Sequence, residues 1–416
     1  MKVLHVVQGY PPAVGGTENL FHRISEGLVQ RYGDDVTVFA ANGYNCEAFY
    51  SPRHHLLPPG EEMLNGVRVR RFHVFNWLGP ILRYVQQGAY WLRLPYNQYL
   101  RTLYGGPIIP GLKRAIGSFR GDVVVASSFP LLHMYVALSA RRANRLPLIY
   151  CGGLHPEDAW GFDRPMIYQA IRQADAYIAY TSYERDHLLR KGIPGDRLYV
   201  IGLGVDAEQF ARADGTAIRR QWGDPLAPVV AFVGQQAQHK GADVLLQAMQ
   251  IVWQQLPETR LLIAGARTRF SASLQRQIET LPVEQRRQVL VIDDFAEEDK
   301  PRIFAACDVL AYPSEFESFG LAYVEAWACG KPVIGCRVGA VPAVVDDGVD
   351  GLLIPRRDPN ALVSALLRLL KDEALRRQLG EQGRAKVQTN YTWDVVVARF
   401  RQVYEQTVDR AADLSP

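Results

Sequence analysis

At 416 residues the chain is too long for one ordinary core and fits two domains of about 200 residues each. Hydrophobic residues make up 48% and charged residues 22%, which excludes a disordered or fibrous protein, and a formal charge of +4 is small for a dedicated nucleic-acid binder. Five scattered cysteines without a CxxC pair suggest neither a disulfide framework nor a zinc site.

The chain opens on an apolar run of strand length, residues 3–7, that stops at Gly9-Tyr10-Pro11-Pro12. No basic segment or cleavage site accompanies it, so it reads as a first strand rather than a signal peptide. Further short apolar runs follow at residues 36–40, 67–72, 123–126, 148–151, 177–180 and 198–201, then at 229–233, 261–264, 289–292, 309–312, 333–335 and 351–354. Amphipathic segments of helix length alternate with them, the pattern of parallel strands buried on both faces. The longest apolar stretch, residues 123–140, is broken by Ser127, Ser128, Pro130 and His133, so no membrane span is expected. The two series predict an α/β protein of two doubly wound, Rossmann-like domains facing each other across a cleft. The boundary is expected in the polar stretch 204–228, giving domains 1–205 and 206–392, with a terminal helix 393–416 joining the first.

The most informative segment runs from Pro313 to Val333: it follows a strand, opens a helix and is stopped by Gly330 before Lys331-Pro332. The N–H groups of Phe319, Gly320 and Leu321 would face a ligand at the carboxyl edge of the sheet, and the helix dipole favours an anion such as diphosphate there. Glu317 and Glu325 stand seven residues apart in sequence between them, a rise of ~12 Å if the whole interval is helical. That span suits two ends of a nucleotide sugar, with Glu325 on the ribose hydroxyls and Glu317 on the donor sugar. The alternative is that Glu317 is a helix-terminal charge and Glu325 a solvated residue.

This run resembles the E-x7-E signature of retaining glycosyltransferases of the GT-B fold, family four. Gly15-Gly16 resembles the N-terminal glycine loop of that family, and the chain from Thr181-Ser182-Tyr183-Glu184-Arg185 to Gly204-Val205-Asp206 resembles its interdomain passage. The resemblance implies a nucleoside-diphosphate-sugar donor held by the C-terminal domain and an acceptor, a glycan or lipid-linked molecule, held by the N-terminal domain. It implies donor contacts from Gly15, Gly16, Gly234, Gln235, Lys240, Phe319, Gly320, Leu321 and Glu325, and catalytic roles for His155, Lys240 and Glu317. Lys240 would neutralise diphosphate oxygens. Where the family usually carries arginine this chain has Gln235, one positive charge fewer. No metal and no other cofactor is expected, because Asp346-Asp347-Gly348 reads as a turn and the aspartate-x-aspartate pattern of metal-dependent transferases is absent. Two other readings stay open: a GT-B epimerase or phosphorylase, and a catalytically silent sugar-nucleotide-binding subunit.

Residues 63–121 contain no Asp or Glu but carry Arg68, Arg70, Arg71, Arg83, Arg93, Arg101, Lys113, Arg114 and Arg120. Trp77, Tyr84, Tyr90, Trp91, Tyr96, Tyr99 and Tyr104 are interleaved with them. Aromatic and basic residues mixed in this way predict a cytoplasmic protein in peripheral contact with an anionic membrane and no nucleic-acid partner. The alternative is an aromatic core under a solvated basic face.

Overall fold

The computed structural model describes residues 1–13, 15–158 and 160–413. The last three residues of the expected terminal helix lie outside them. Contacts divide the chain into two units, one comprising Met1–Gly202 with the chain from Trp393 onward, the other Leu203–Thr392. Each is a Rossmann-like α/β domain built on one sheet.

The first sheet contains β1 (Lys2–Val7), β2 (Asp35–Ala41), β3 (Gly60–Leu64), β4 (Val67–Phe72), β5 (Val123–Ser127), β6 (Leu148–Cys151), β7 (Ala176–Ala179) and β8 (Leu198–Val200). Their order is β3-β4-β2-β1-β5-β6-β7-β8, and all pairs are parallel except β3 with β4. The central strands are apolar throughout because helices cover both faces, as β5 shows with every residue buried. Strand β3 breaks that rule. It is a polar, exposed edge strand joined to β4 through Asn65-Gly66, both with positive φ, a two-residue hairpin turn. Its Glu61 and Glu62 pair with Arg70 and Arg71, so two cations of the basic block are neutralised locally.

The helix Trp393–Asp413 packs on the helix Gly16–Tyr32: a Cβ on Gly27 would lie 2.7 Å from a methyl of Val397. Tyr404 reaches His5 of β1 at 3.2 Å. The terminal helix is thereby part of the first core.

The second sheet contains β9 (Val229–Val233), β10 (Arg260–Gly265), β11 (Val289–Asp293), β12 (Val309–Tyr312), β13 (Val333–Cys336) and β14 (Gly351–Ile354). They are parallel in the order β11-β10-β9-β12-β13-β14. Chain direction across this sheet reverses between β9 and β12, the switch point at which open α/β sheets form a crevice. The polar stretch 204–228 belongs to this unit. Within it Arg219 pairs with Asp308 at 2.5 Å, and a Cβ on Gly215 would lie 2.2 Å from the Ala306 backbone. Among the described residues no helix is long and apolar enough to cross a membrane.

Candidate functional site

In the second unit the chain leaves β9 at Val233 and β12 at Tyr312, and the two loops that follow are fastened to each other. Glu315 N donates to His239 O at 2.8 Å, Ser314 Oγ to the same oxygen at 3.3 Å, and the His239 ring stacks on Phe316 at 4.6 Å. Gly241, at φ +83°, passes so close to Pro313 O that a Cβ would lie 2.3 Å from it. This fastening brings Lys240 and Glu317 together: Lys240 Nζ donates to Glu317 Oε1 at 2.6 Å, both part-buried.

Gly234 sits at the end of β9 against Tyr312, whose hydroxyl would lie 2.5 Å from an added Cβ. Gln235 is exposed, whereas its neighbour Gln236 is buried and donates to Gly265 O and to Asp293. Sequence reasoning passed over Gln236, since nothing local distinguishes two consecutive glutamines.

The helix after the second loop begins only at Leu321 and ends at Ala328, with Gly320 as its cap at φ +90° and no side-chain cap bond. The interval from Glu317 to Glu325 is therefore half loop, and the ~12 Å estimate for a helical rise does not apply. Phe319 is buried against Tyr391, with ring centroids 5.5 Å apart. Among the described residues no acceptor takes the N–H of Phe319, Gly320 or Leu321.

Glu325 is buried rather than solvated, which removes that alternative for it. Lys300 Nζ donates to its Oε1 at 3.1 Å and also contacts Glu297. Burial pushes the Glu325 carboxyl up, with Lys300 pulling the other way. Burial also works against the Lys300 charge, but the two carboxylates outweigh it and leave Lys300 above the ordinary lysine value. Lys300 lies far from Glu325 in sequence, and no local pattern pointed to it.

In the first unit Gly15 and Gly16 open the helix that follows β1. Gly15 is extended, so its need for glycine is spatial: a Cβ would fall 2.2 Å from Glu18 Oε2. The crowding there comes from the protein's own carboxylate, while at Gly16 a Cβ would meet open space. Glu18 is buried, accepts from Gln8 at 2.8 Å, and its carboxyl is raised by burial. His155 follows β6, half-buried and edge-on to Phe162 at 5.0 Å. The backbone leading to it is held by Glu184, which accepts from Gly153 N, Leu154 N, Tyr180 N and the Tyr177 hydroxyl. Glu184 was read only as part of a resemblance to an interdomain passage; here it is a fully buried organiser of the His155 loop. His155, Gly15 and Gly16 thus belong to one unit, and Lys240, Glu317, Glu325 and the remaining candidates to the other.

Asp346, Asp347 and Asp350 are occupied by cations: Lys386 lies 2.8 Å from Asp346 and 2.5 Å from Asp350, and Arg337 lies 2.6 Å from Asp347. Among the described residues no group of three or more His, Cys, Asp or Glu is arranged to hold a metal ion.

The comparisons with known proteins agree with this division. Residues 14–209 match the model described as Glycosyltransferase Family 4, and residues 216–386 that described as Glycosyl transferases group 1. Over 253 residues the chain is 35% identical to the D-inositol 3-phosphate glycosyltransferase of Xylanimonas cellulosilytica, covering 58% of this chain and 59% of that protein. Over 203 residues it is 36% identical to the enzyme of the same name from Mycolicibacterium gilvum, covering 48% and 45%. The chain thus spans less than two thirds of the length of these curated relatives. Among solved structures it is similar to Anabaena HepE in complex with UDP, at TM-score 0.70 and 21% identity over 98% of this chain and 100% of that one. It is similar also to sucrose-phosphate synthase of Thermosynechococcus elongatus, at TM-score 0.70 and 22% identity over 99% and 100%. The fold is that of GT-B glycosyltransferase structures, and the family matches support a GT-B glycosyltransferase of the family 4 type.

Proposed function

We propose that the chain is a retaining, metal-independent hexosyltransferase that moves a sugar from a nucleoside diphosphate to a glycan or lipid-linked acceptor. The observation that carries this is the Lys240–Glu317 pair at the switch point of the second sheet, beside a helix N-terminus where the N–H groups of Phe319, Gly320 and Leu321 have no acceptor among the described residues. Lys240 and those N–H groups would meet the diphosphate, where preorganised positive charge stabilises the departing nucleoside diphosphate. Glu317 would position the donor sugar once Lys240 turns to phosphate. Glu325, engaged by Lys300 through Oε1, would offer Oε2 to the ribose hydroxyls. Gly234 and Gln235 line the donor side of the same loop; His155, Gly15 and Gly16 would serve from the first domain, which takes the acceptor. A donor phosphate oxygen would accept the acceptor's proton, as the family resemblance implies.

The bound UDP of HepE favours a uridine donor, and the name of the curated relatives favours a phosphorylated acceptor. We read the protein as cytoplasmic, with peripheral contact to an anionic membrane. A thermal-shift screen with UDP-, GDP- and ADP-sugars tests the donor reading, since a ligand that binds only the folded chain raises its apparent stability. A shift with one of the three, accompanied by transfer, is expected. A shift without release of nucleoside diphosphate would favour the silent binding subunit that Gln235 allows.

A further inference from the structure

The helices Gly79–Trp91 and Asn97–Gly105 pack on each other in the first unit, and large apolar side chains on and around them stay exposed. Trp77, Tyr84, Trp91, Leu92 and Tyr96 each leave 70% or more of their surface in solvent. The alternative that these aromatics form a core therefore does not hold for these five. Large apolar side chains exposed this densely along one short stretch mark contact with another body. Its charge narrows the choice: no acid occurs in residues 63–121, and Arg83 on the first helix and Arg93 in the link between the two are exposed without an ion pair among the described residues.

Beneath this face lie two buried guanidinium groups. Arg101 is 8% exposed, lies over the rings of Tyr90 and Trp160 at 5.0 and 5.8 Å, and donates from Nη1 to Trp160 O at 2.5 Å. Its Nε is buried without a partner among the described residues. Arg164 is 1% exposed and donates to the same Trp160 oxygen and to Thr102 Oγ1. Neither has a carboxylate at ion-pair distance among the described residues. Asp158 acts on both only from farther away, and its Oδ1 accepts from Gly161 N. Burial lowers both, Arg164 to about 10, with Arg101 adding repulsion. Buried cations without a counter-ion are costly, and an incoming anion removes that cost. A cavity of about 370 Å³ lined by Tyr90, Trp91, Arg93, Asn97 and Arg101 offers such an anion a seat beside Arg101.

We propose that this cavity binds the phosphate head of an anionic lipid between Arg93 and Arg101, while the exposed apolar face, including Trp77, Tyr84, Trp91 and Tyr96, rests in the interfacial layer of the membrane. Aromatic rings suit that layer, and guanidinium pairs with phosphate in a fork geometry. That the lipid so held is the sugar acceptor rests on the transfer reading above; the binding does not.

Flotation of the full chain with vesicles of phosphatidylcholine alone, or of equal parts phosphatidylcholine and phosphatidylglycerol, tests the proposal at low and high salt. Binding to the mixed vesicles only, weakened by salt, is expected, and Arg93→Glu should lower it roughly tenfold or more. Trp91→Ser, at an exposed position that does not threaten folding, should lower it roughly tenfold. Arg101→Lys keeps a charge but loses the fork and the bond to Trp160 O, and should bind less well than the parent even where circular dichroism shows it folded. Equal binding to both vesicles, parent-like binding by Arg93→Glu and Trp91→Ser, or full displacement by inorganic phosphate would overturn the proposal. So would failure to bind either vesicle together with a dimer in sedimentation that Trp91→Ser splits, since the face would then be a protein interface. Release of nucleoside diphosphate from the donor, measured on the same preparations without lipid, keeps this outcome separate from the fate of the transfer reading.

Discussion

Lys240 Nζ stands 2.6 Å from Glu317 Oε1, so the cation we assign to the donor diphosphate and the carboxylate we assign to its sugar neutralise each other. On that assignment donor binding would exchange one partner for another, with phosphate taking Lys240 and Glu317 released toward the sugar. Removing the carboxylate frees the lysine in advance. Glu317→Ala is therefore expected to lose at least ~100-fold in kcat while nucleoside diphosphate affinity is kept or improved. Turnover and calorimetry on the same preparation check it. Normal turnover would remove Glu317 from the reaction.

The second buried pair behaves differently. Lys300 and Glu325 are each held by the other in a site that disfavours charge, so taking away the cation alone strands a buried carboxylate. Lys300→Met should cost about 3–5 kcal/mol in urea unfolding, and adding Glu325→Gln should recover much of it. Glu325→Ala should in addition weaken nucleotide binding itself. Single and double variants that simply add would show that the pair is not coupled.

Chelation is a third test. If Lys240 and helix N–H groups meet the diphosphate as proposed, and with Asp346, Asp347 and Asp350 already engaged by Lys386 and Arg337, activity should survive excess EDTA. Activity lost in EDTA and restored by magnesium or manganese would contradict the metal-independent reading.

Acid should weaken the first unit through two histidines. Burial pushes His5 down to about 3 and His133 to about 4, from an ordinary value of 6.5. In the unfolded chain both take up protons below pH 6.5, but in the folded chain they stay neutral. Their contribution is therefore present above pH 6.5 and is lost as the pH falls toward 4 and then 3, at up to ~1.4 kcal/mol per pH unit for each. Glu18 and Glu184, raised by burial, act in the opposite sense and favour the folded state as they protonate. The difference between the parent and His133→Gln isolates one histidine: the variant should lose less stability between pH 6.5 and 4. Parallel profiles would contradict the assignment.

The strands were legible because burial on both faces leaves only apolar residues, as at Val123-Val124-Val125-Ala126 and Val229-Val230-Ala231-Phe232-Val233. Strand β3 was missed for the complementary reason: Gly60-Glu61-Glu62-Met63-Leu64 lies exposed at an edge and carries no apolar run. Asn65-Gly66 between it and β4 was the signal that could have found it. In the second sheet the residues on each loop could be named from the strand-to-helix pattern, but their pairing could not. Lys240 and Glu317 meet only because β9 and β12 are neighbours in space, an adjacency set by the crossover and not by any local motif. The same holds for Lys300 with Glu325 and for Glu184 with the His155 loop. The aromatic and basic block was visible as composition, but which side chains are buried was not, since Arg101 lies inside while Trp91 lies outside.

Release of nucleoside diphosphate from UDP-, GDP- and ADP-sugars, followed for the full chain and for Lys240→Ala, tests the central claim most directly. One nucleotide class should be cleaved or transferred by the parent, and Lys240→Ala should lose at least ~100-fold, since it removes the cation proposed to meet the diphosphate. Equal rates for the parent and Lys240→Ala, or no release from any donor under conditions in which the nucleotide binds, would contradict it.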